Sequence, residues 1–148
     1  MKLIQYFGYA SNLHTPTFLA RIQDQVYGQE VVKLSGYTLT FDGKNSAGQA
    51  RANIQIDPNA HTYGILYTIS EEVLDKLEKT EPGYKLINVT VVTDSGTQTT
   101  QTFISPAHAQ LPLDKEYLDL MLSGARENGL PETYINHIQK RGFPILGH

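Results

Sequence analysis

The chain contains no cysteine and no tryptophan. Without cysteine there can be no disulfide, no thiolate metal ligand and no cysteine nucleophile, and the composition fits a reducing compartment. Long hydrophobic runs are missing as well: no stretch approaches the roughly 20 apolar residues of a membrane span. The opening Met1-Lys2-Leu3-Ile4-Gln5-Tyr6-Phe7-Gly8-Tyr9 has one basic residue and too short an apolar run for a signal peptide. The expected location is therefore cytoplasmic, with no membrane partner, and the sequon Asn88-Val89-Thr90 reads as chance. Charge of one sign is scarce: 12 basic against 15 acidic residues give −3, with no block of like charge. Such a chain offers no electrostatic footprint for nucleic acid. The five histidines (His14, His61, His108, His137 and His148) are scattered without ligand spacing, so no metal and no cofactor is expected. Neither a Gly-x-Ser-x-Gly elbow nor a Gly-x-x-x-x-Gly-Lys phosphate loop occurs.

What is present is ordinary globular material. The 148 residues are 40% hydrophobic and 18% charged, with no repeat or linker, which predicts a single domain over residues 1–148 with a sizeable core. Residues 3–9 read as a buried strand ending in the small, polar loop Gly8-Tyr9-Ala10-Ser11-Asn12. Thr15-Pro16 then provides an N-cap candidate with proline at the first helical position, and Phe18, Leu19 and Ile22 give that helix an apolar side. Strands are predicted at 31–41, 51–56 and 62–69, divided by Gly, Asn and Pro clusters. Ser70 caps a short helix with Glu71 and Glu72 in its first turn; Val73, Leu74 and Leu77 form its apolar face, and Pro82-Gly83 ends it. Residues 84–93 and 97–105 read as a hairpin around Asp94-Ser95-Gly96. Helices over 114–128 and 131–141 stop at Gly129 and Gly142. Strands first and helices last indicate an α+β fold, a strongly curved or closed sheet with helices outside.

Two features could carry chemistry. In the loop after the first strand, small residues let backbone N–H groups approach a ligand; a plain strand-to-helix turn is the bland alternative. In Leu77-Glu78-Lys79-Thr80-Glu81-Pro82-Gly83-Tyr84, Glu81 lies four residues after Leu77 and so falls near the buried side of an amphipathic helix. Apolar surroundings raise a carboxyl pKa, which suits proton transfer; an exposed helix-end carboxylate is the competing reading.

These pieces resemble the γ-glutamylcyclotransferase family nearly end to end. Tyr6-Phe7-Gly8-Tyr9-Ala10-Ser11-Asn12-Leu13 is similar to the family's N-terminal Tyr-Gly-Ser-Asn-Leu loop. Tyr63-Gly64-Ile65-Leu66-Tyr67 resembles the strand before its catalytic helix, and Leu77 to Glu81 with Tyr84 resembles its Leu-Asp-x-x-Glu segment. Gly124-Ala125-Arg126-Glu127-Asn128-Gly129-Leu130-Pro131 is the most specific match. The resemblance implies a small mixed β-barrel with helices packed around it and a small-molecule γ-glutamyl substrate. It places the catalytic glutamate on Glu81 and substrate binding on Tyr6, Phe7, Gly8, Tyr9, Ala10, Ser11 and Tyr117. It also implies the reaction: attack of the substrate's α-amine on its own γ-carbonyl, releasing 5-oxoproline. Two departures stand out. Ala10 occupies the position of the family's loop glycine, and would be strained if that position needs positive φ. Phe103 falls where some relatives carry a pocket tyrosine. Asn12-Leu13 argues against the glutathione-specific branch. A non-catalytic binding module of the same fold and an amide hydrolase using Glu81 remain alternatives, and oligomeric state is left open.

Overall fold

The computed structural model describes residues 1–81, 83–106 and 108–147; Pro82 of the predicted helix stop and His148 lie outside them. Five strands close into a barrel in the order β1-β3-β2-β4-β5, with β1 at Leu3–Gly8, β2 at Gly28–Lys44, β3 at Ala50–Ser70, β4 at Lys85–Thr93 and β5 at Gly96–Ile104. Neighbours pair antiparallel except along the parallel β1–β5 seam. At this seam side chains reinforce the backbone: Thr100 Oγ1 donates to Gln5 C=O at 2.8 Å and Thr102 Oγ1 to Phe7 C=O at 2.7 Å. Among the described residues, four α-helices, α1 (Thr15–Ile22), α2 (Glu71–Thr80), α3 (Lys115–Glu127) and α4 (Glu132–Gly142), accompany the barrel. The chain thus forms the mixed barrel with helices around it that the sequence reading expects. Among the described residues, no helix is long and apolar enough to cross a membrane.

The largest departure is in β3. Asp57-Pro58-Asn59 reads as a break between two strands, yet one strand runs through it. The register slips from Ser35↔His61 to Tyr37↔Ile56, so residues 57–60 face Gly36 alone and form a bulge. Pro58 has no N–H to give a ladder, and the bulge is where none is required. Gly36 follows the bend at φ +87°, a conformation glycine adopts without cost.

In α1 the cap falls one residue early: His14 takes the N-cap position without a side-chain bond to a helix N–H, its Nδ1 lying instead 2.7 Å from Thr17 Oγ1, and Thr15 is already helical. The Thr15 hydroxyl is instead 3.1 Å from the Tyr67 hydroxyl. Phe18 and Ile22 are buried as expected, but Leu19 faces outward. Phe18 stacks on Tyr67 at 4.3 Å and on Tyr6 at 5.7 Å between ring centroids, so α1 is pinned to β1 and β3 by aromatic contacts worth about 0.5–1.5 kcal/mol each beyond area burial. Ser70 does cap α2, its Oγ accepting from Val73 N–H at 3.3 Å.

Helix α3 fixes the loop that follows β1. A short 3-10 turn at Ser11–Leu13 rests directly on Gly124: a Cβ there would lie 2.3 Å from the backbone N of His14 and 2.4 Å from the Leu13 carbonyl oxygen. Asn128, at the C-terminal end of α3, donates from Nδ2 to Leu13 C=O at 2.9 Å and to Thr15 Oγ1 at 3.1 Å. The Gly124 to Pro131 motif therefore has a mechanical meaning: glycine permits close approach, and asparagine ties the turn down.

Candidate active site

A cavity of about 420 Å³ opens between the β1–α1 loop, the end of α2 and the β2–β3 hairpin, within the range of roughly 300–1,000 Å³ typical of small-molecule sites. Of the residues singled out from the sequence, Tyr6, Tyr9, Ala10, Ser11, Glu81 and Tyr117 all line it. Phe7 and Gly8 do not. Phe7 is fully buried in the barrel core, and Gly8 sits beneath the loop, where a Cβ would touch Asn12, Tyr6 and Tyr67 at 3.4 Å.

Glu81 stands at the C-cap of α2. Its carbonyl accepts from Tyr84 N–H at 3.1 Å, and Gly83 takes φ +83° in the reversal, which turns the chain back into β4. The side chain is half-buried while Glu78, one turn earlier, is exposed. Burial pushes the Glu81 carboxyl above the ordinary glutamate range, and the guanidinium groups of Arg21 and Arg51 oppose that shift. Among the described residues, no cation lies within 4.0 Å of its carboxylate, and Glu81 is the only carboxylate lining the cavity. The four tyrosines lining it, Tyr6, Tyr9, Tyr84 and Tyr117, are all pushed above the usual phenol range, desolvation being the first cause for each. Phenols raised in this way stay protonated at neutral pH.

The loop is held from below. Asn12 donates from Nδ2 to Tyr6 Oη at 3.0 Å, and its backbone carbonyl accepts from Tyr67 Oη at 2.7 Å. Arg21 donates from Nη1 to Ser11 Oγ at 2.7 Å and to Asn12 Oδ1 at 2.5 Å. The 3-10 turn is closed by Leu13 N–H to Ala10 C=O and His14 N–H to Ser11 C=O, which leaves the N–H groups at its start outside its own bonding. Ala10 has φ −101° and ψ −136°. The positive φ that would have strained an alanine is absent, so the methyl group is accommodated and glycine is not required here.

On the far wall, two tyrosines meet the backbone of one residue. Tyr84 Oη donates to Ala52 C=O at 2.7 Å, and Ala52 N–H donates to Tyr117 Oη at 3.1 Å. The Tyr117 hydroxyl is thereby an acceptor toward β3, and its ring carries the Arg51 guanidinium 4.2 Å above its centroid. Tyr9 Oη donates to Phe103 C=O at 2.6 Å, and Phe103 itself lines the cavity with a ring that bears no hydroxyl. Sequence reasoning missed Arg21, Lys44 and Arg51. Arg51 and Ala52 at the start of β3 line the cavity while Asn53 is fully buried, and nothing local in the sequence says that this strand end meets a cavity. Among the described residues, no three His, Cys, Asp or Glu side chains gather to hold a metal ion.

Known proteins share this architecture. The sequence model of the AIG2-like family matches residues 61–138, just over half of the chain. The γ-glutamylcyclotransferase of Bos taurus is 30% identical over 151 residues, covering 93% of this chain and 80% of its own length. The Homo sapiens enzyme of the same name is 28% identical, covering 87% and 73%. A solved structure named γ-glutamyl cyclotransferase superposes with a TM-score of 0.83 at 26% identity, covering 93% of this chain and 87% of that one. The chain belongs to the AIG2-like family and is an enzyme of its γ-glutamylcyclotransferase kind.

Proposed function

We propose that the chain cyclises a γ-glutamyl amide to 5-oxoproline, with Glu81 as the acid–base residue. The observation that carries this reading is a lone, sheltered carboxylate sharing one cavity with the β1–α1 loop. The α-amine of the substrate reaches the site as an ammonium and gives a proton to Glu81. The freed nitrogen attacks the γ-carbonyl of the same molecule, closing a five-membered lactam. As the C–N amide bond breaks, Glu81 returns the proton to the leaving nitrogen; it then takes the second proton from the ring nitrogen and passes it to the departing amine, which leaves as an ammonium, so charge and protons balance without a co-reactant.

Nucleophile and electrophile are tethered, so the pocket's main task is to hold a bent conformer; effective molarities for well-oriented intramolecular attack reach about 10⁵ M or more. The start of the Ser11–Leu13 turn, with Arg21 beside it, supplies N–H donors and positive charge to hold the α-carboxylate. Tyr84 and Tyr117, fixed on Ala52, form the opposite wall.

Incubation of the purified protein with γ-glutamyl-alanine, read by chromatography of the products, tests the proposal. 5-Oxoproline and alanine in equal amounts are expected. Free glutamate in place of the cyclic product would assign a hydrolase, and binding without turnover would assign a binding module.

A further inference from the structure

A second concavity, of about 360 Å³, shares no residue with the Glu81 cavity. One wall is a face of α4, where Thr133, Tyr134 and His137 line it; Thr133 and His137, four residues apart, stand on the same side of the helix. The other wall is the bulge of β3, through Asn59 and His61, together with Thr38 of β2. His61 is the first residue paired after the register slip, opposite Ser35. Bulges re-aim the side chains around them, and here the one that accommodates Pro58 brings an imidazole of β3 to the same cavity as an imidazole of α4.

Basic groups gather at this place without acidic partners, in a chain whose formal net charge is −3. Arg141 Nη2 donates to Thr38 Oγ1 at 3.3 Å, which brings a guanidinium to the rim, and Lys140 is exposed next to it. Among the described residues, none of His61, His137, Lys140 and Arg141 has a carboxylate within 4.0 Å. Asp57, in the bulge, does not line the cavity and accepts from Asn59 N–H at 3.0 Å; Glu132, before Thr133, is exposed and does not line it either. Thr133 lies in the first turn of α4, where the helix dipole adds partial positive charge. Beneath them, Tyr134 is buried and its hydroxyl has no hydrogen-bond partner, the one buried side-chain polar atom in that state among the described residues. Its neighbour Thr62 gives its own hydroxyl to Tyr37 C=O at 3.0 Å. A buried polar group left over in this way marks a place that a water or ion completes.

We propose that this concavity is a second ligand site, taking a tetrahedral oxyanion (a phosphate or sulfate group) between His61 and His137 with Arg141 at its rim. Donors converge from β3, from α4 and from the rim, which suits oxygens pointing in several directions better than a flat carboxylate, and arginine is the side chain best matched to such a group. Burial, followed by the positive charges of Arg141, His61 and Lys140, holds the His137 imidazole below the usual histidine range. The other titratable group beside it is the Tyr134 phenol, its ring centroid 5.8 Å away. An oxyanion neutralises the field that opposes protonation, so binding is accompanied by proton uptake at His137. A divalent metal ion meets the reverse: the same cations repel it, and no carboxylate or thiolate lines the cavity to compensate.

The probe is inorganic sulfate, which stays a dianion while histidines titrate, added to the whole protein as the histidine ring signals are followed by NMR. Sodium chloride at equal ionic strength separates binding from screening. Saturable shifts of His61 and His137 are expected, with His14 and His108 unmoved, and sulfate should bind about three- to tenfold tighter near pH 6 than near pH 8. Inorganic phosphate should compete for the site, and acetate at the same concentration should not. His137→Gln should weaken sulfate binding by about tenfold. Arg141→Gln, at an exposed position where folding is not at stake, should weaken it by about threefold. Shifts that chloride reproduces, a response that does not saturate, or an affinity that neither substitution changes overturns the proposal. Equal competition by acetate overturns the tetrahedral assignment, and a saturable response to zinc chloride where sulfate gives none overturns the anion site itself.

Discussion

Glu81→Gln is expected to reduce 5-oxoproline release from γ-glutamyl dipeptides by a hundredfold or more while leaving the barrel intact. Glutamine keeps the shape and polarity of the side chain but cannot accept the ammonium proton, and a positioned general base is worth roughly 10²–10⁴ in rate. The same substitution should not cost stability at neutral pH. Burial raises the folded-state pKa of Glu81, so native stability is greatest while the carboxyl is protonated and falls as pH rises through that raised value. Above it the folded protein bears the cost of a partly desolvated charge, reduced by solvent because the group is only half-buried. The neutral amide of the variant removes that cost. Thermal melts should therefore give the variant a Tm at pH 7 equal to or above that of wild type, with the gap closing in acid. A lower Tm at pH 7 would show that the carboxylate is there to hold the fold rather than to move protons. Loss of activity with no loss of stability is the signature of a functional group.

The largest effect on stability should come from Gly124→Ala, a single methyl group on a helix surface where alanine is ordinarily the best residue. Here it would meet backbone atoms of Leu13 and His14 at 2.3–2.4 Å. Backbone cannot swing aside as a side chain does, so either α3 or the loop after β1 must move. Overpacking costs about 1–3 kcal/mol, the upper end applying when the clash is with main chain; at roughly 2–4 °C per kcal/mol for this size, Tm should drop by about 5–10 °C. The displaced segment carries Ser11 and Asn12 into the cavity, and a shift of about 1 Å at a positioning element can cost on the order of 10² in rate. Activity should thus fall together with stability, unlike in Glu81→Gln. Gly129→Ala in the same motif provides the contrast. Gly129 has φ +73°, and a methyl group added there would find nothing within 4 Å. The substitution should cost about 1–2 kcal/mol of backbone strain and leave turnover in place. Equal losses in the two variants would mean that close approach of α3 to the loop is not what the motif preserves.

Much of the architecture can be read along the chain because its signals are local. Ser70 before Glu71-Glu72 marks a capped helix, and Asp94-Ser95 between alternating segments marks a hairpin, realised with Thr93↔Gly96 as its last pair. The break predicted at Asp57-Pro58-Asn59 does not form because a proline's effect depends on its strand partner. Opposite Gly36 it sits in a bulge, and no single-strand pattern reveals what lies across the sheet. Likewise Thr15 loses the cap to His14 once its hydroxyl finds Tyr67, fifty-two positions away. Within the cavity, Glu81 is legible from helical phase relative to Leu77, and the loop from its small residues. Arg51 is not, because it meets the cavity against Tyr117 from a distant helix, and Arg21 is not, because its reach to Ser11 and Asn12 depends on how α1 folds back on the loop before it. Ala10 reads as a source of strain from its position alone, and its backbone angles remove that concern.

Turnover by this route depends on a shielded glutamate that exchanges protons near the operating pH, and the pH dependence of kcat/KM for γ-glutamyl-alanine addresses it most directly. Glu81 must be ionised to accept the ammonium proton, so the rate should climb through an acid limb whose apparent pKa lies above that of a free glutamate side chain. Because Arg51 favours the ionised form, Arg51→Gln should move the limb to higher pH. A wild-type profile that stays flat from the ordinary glutamate range up to neutrality would contradict a proton-carrying role for Glu81.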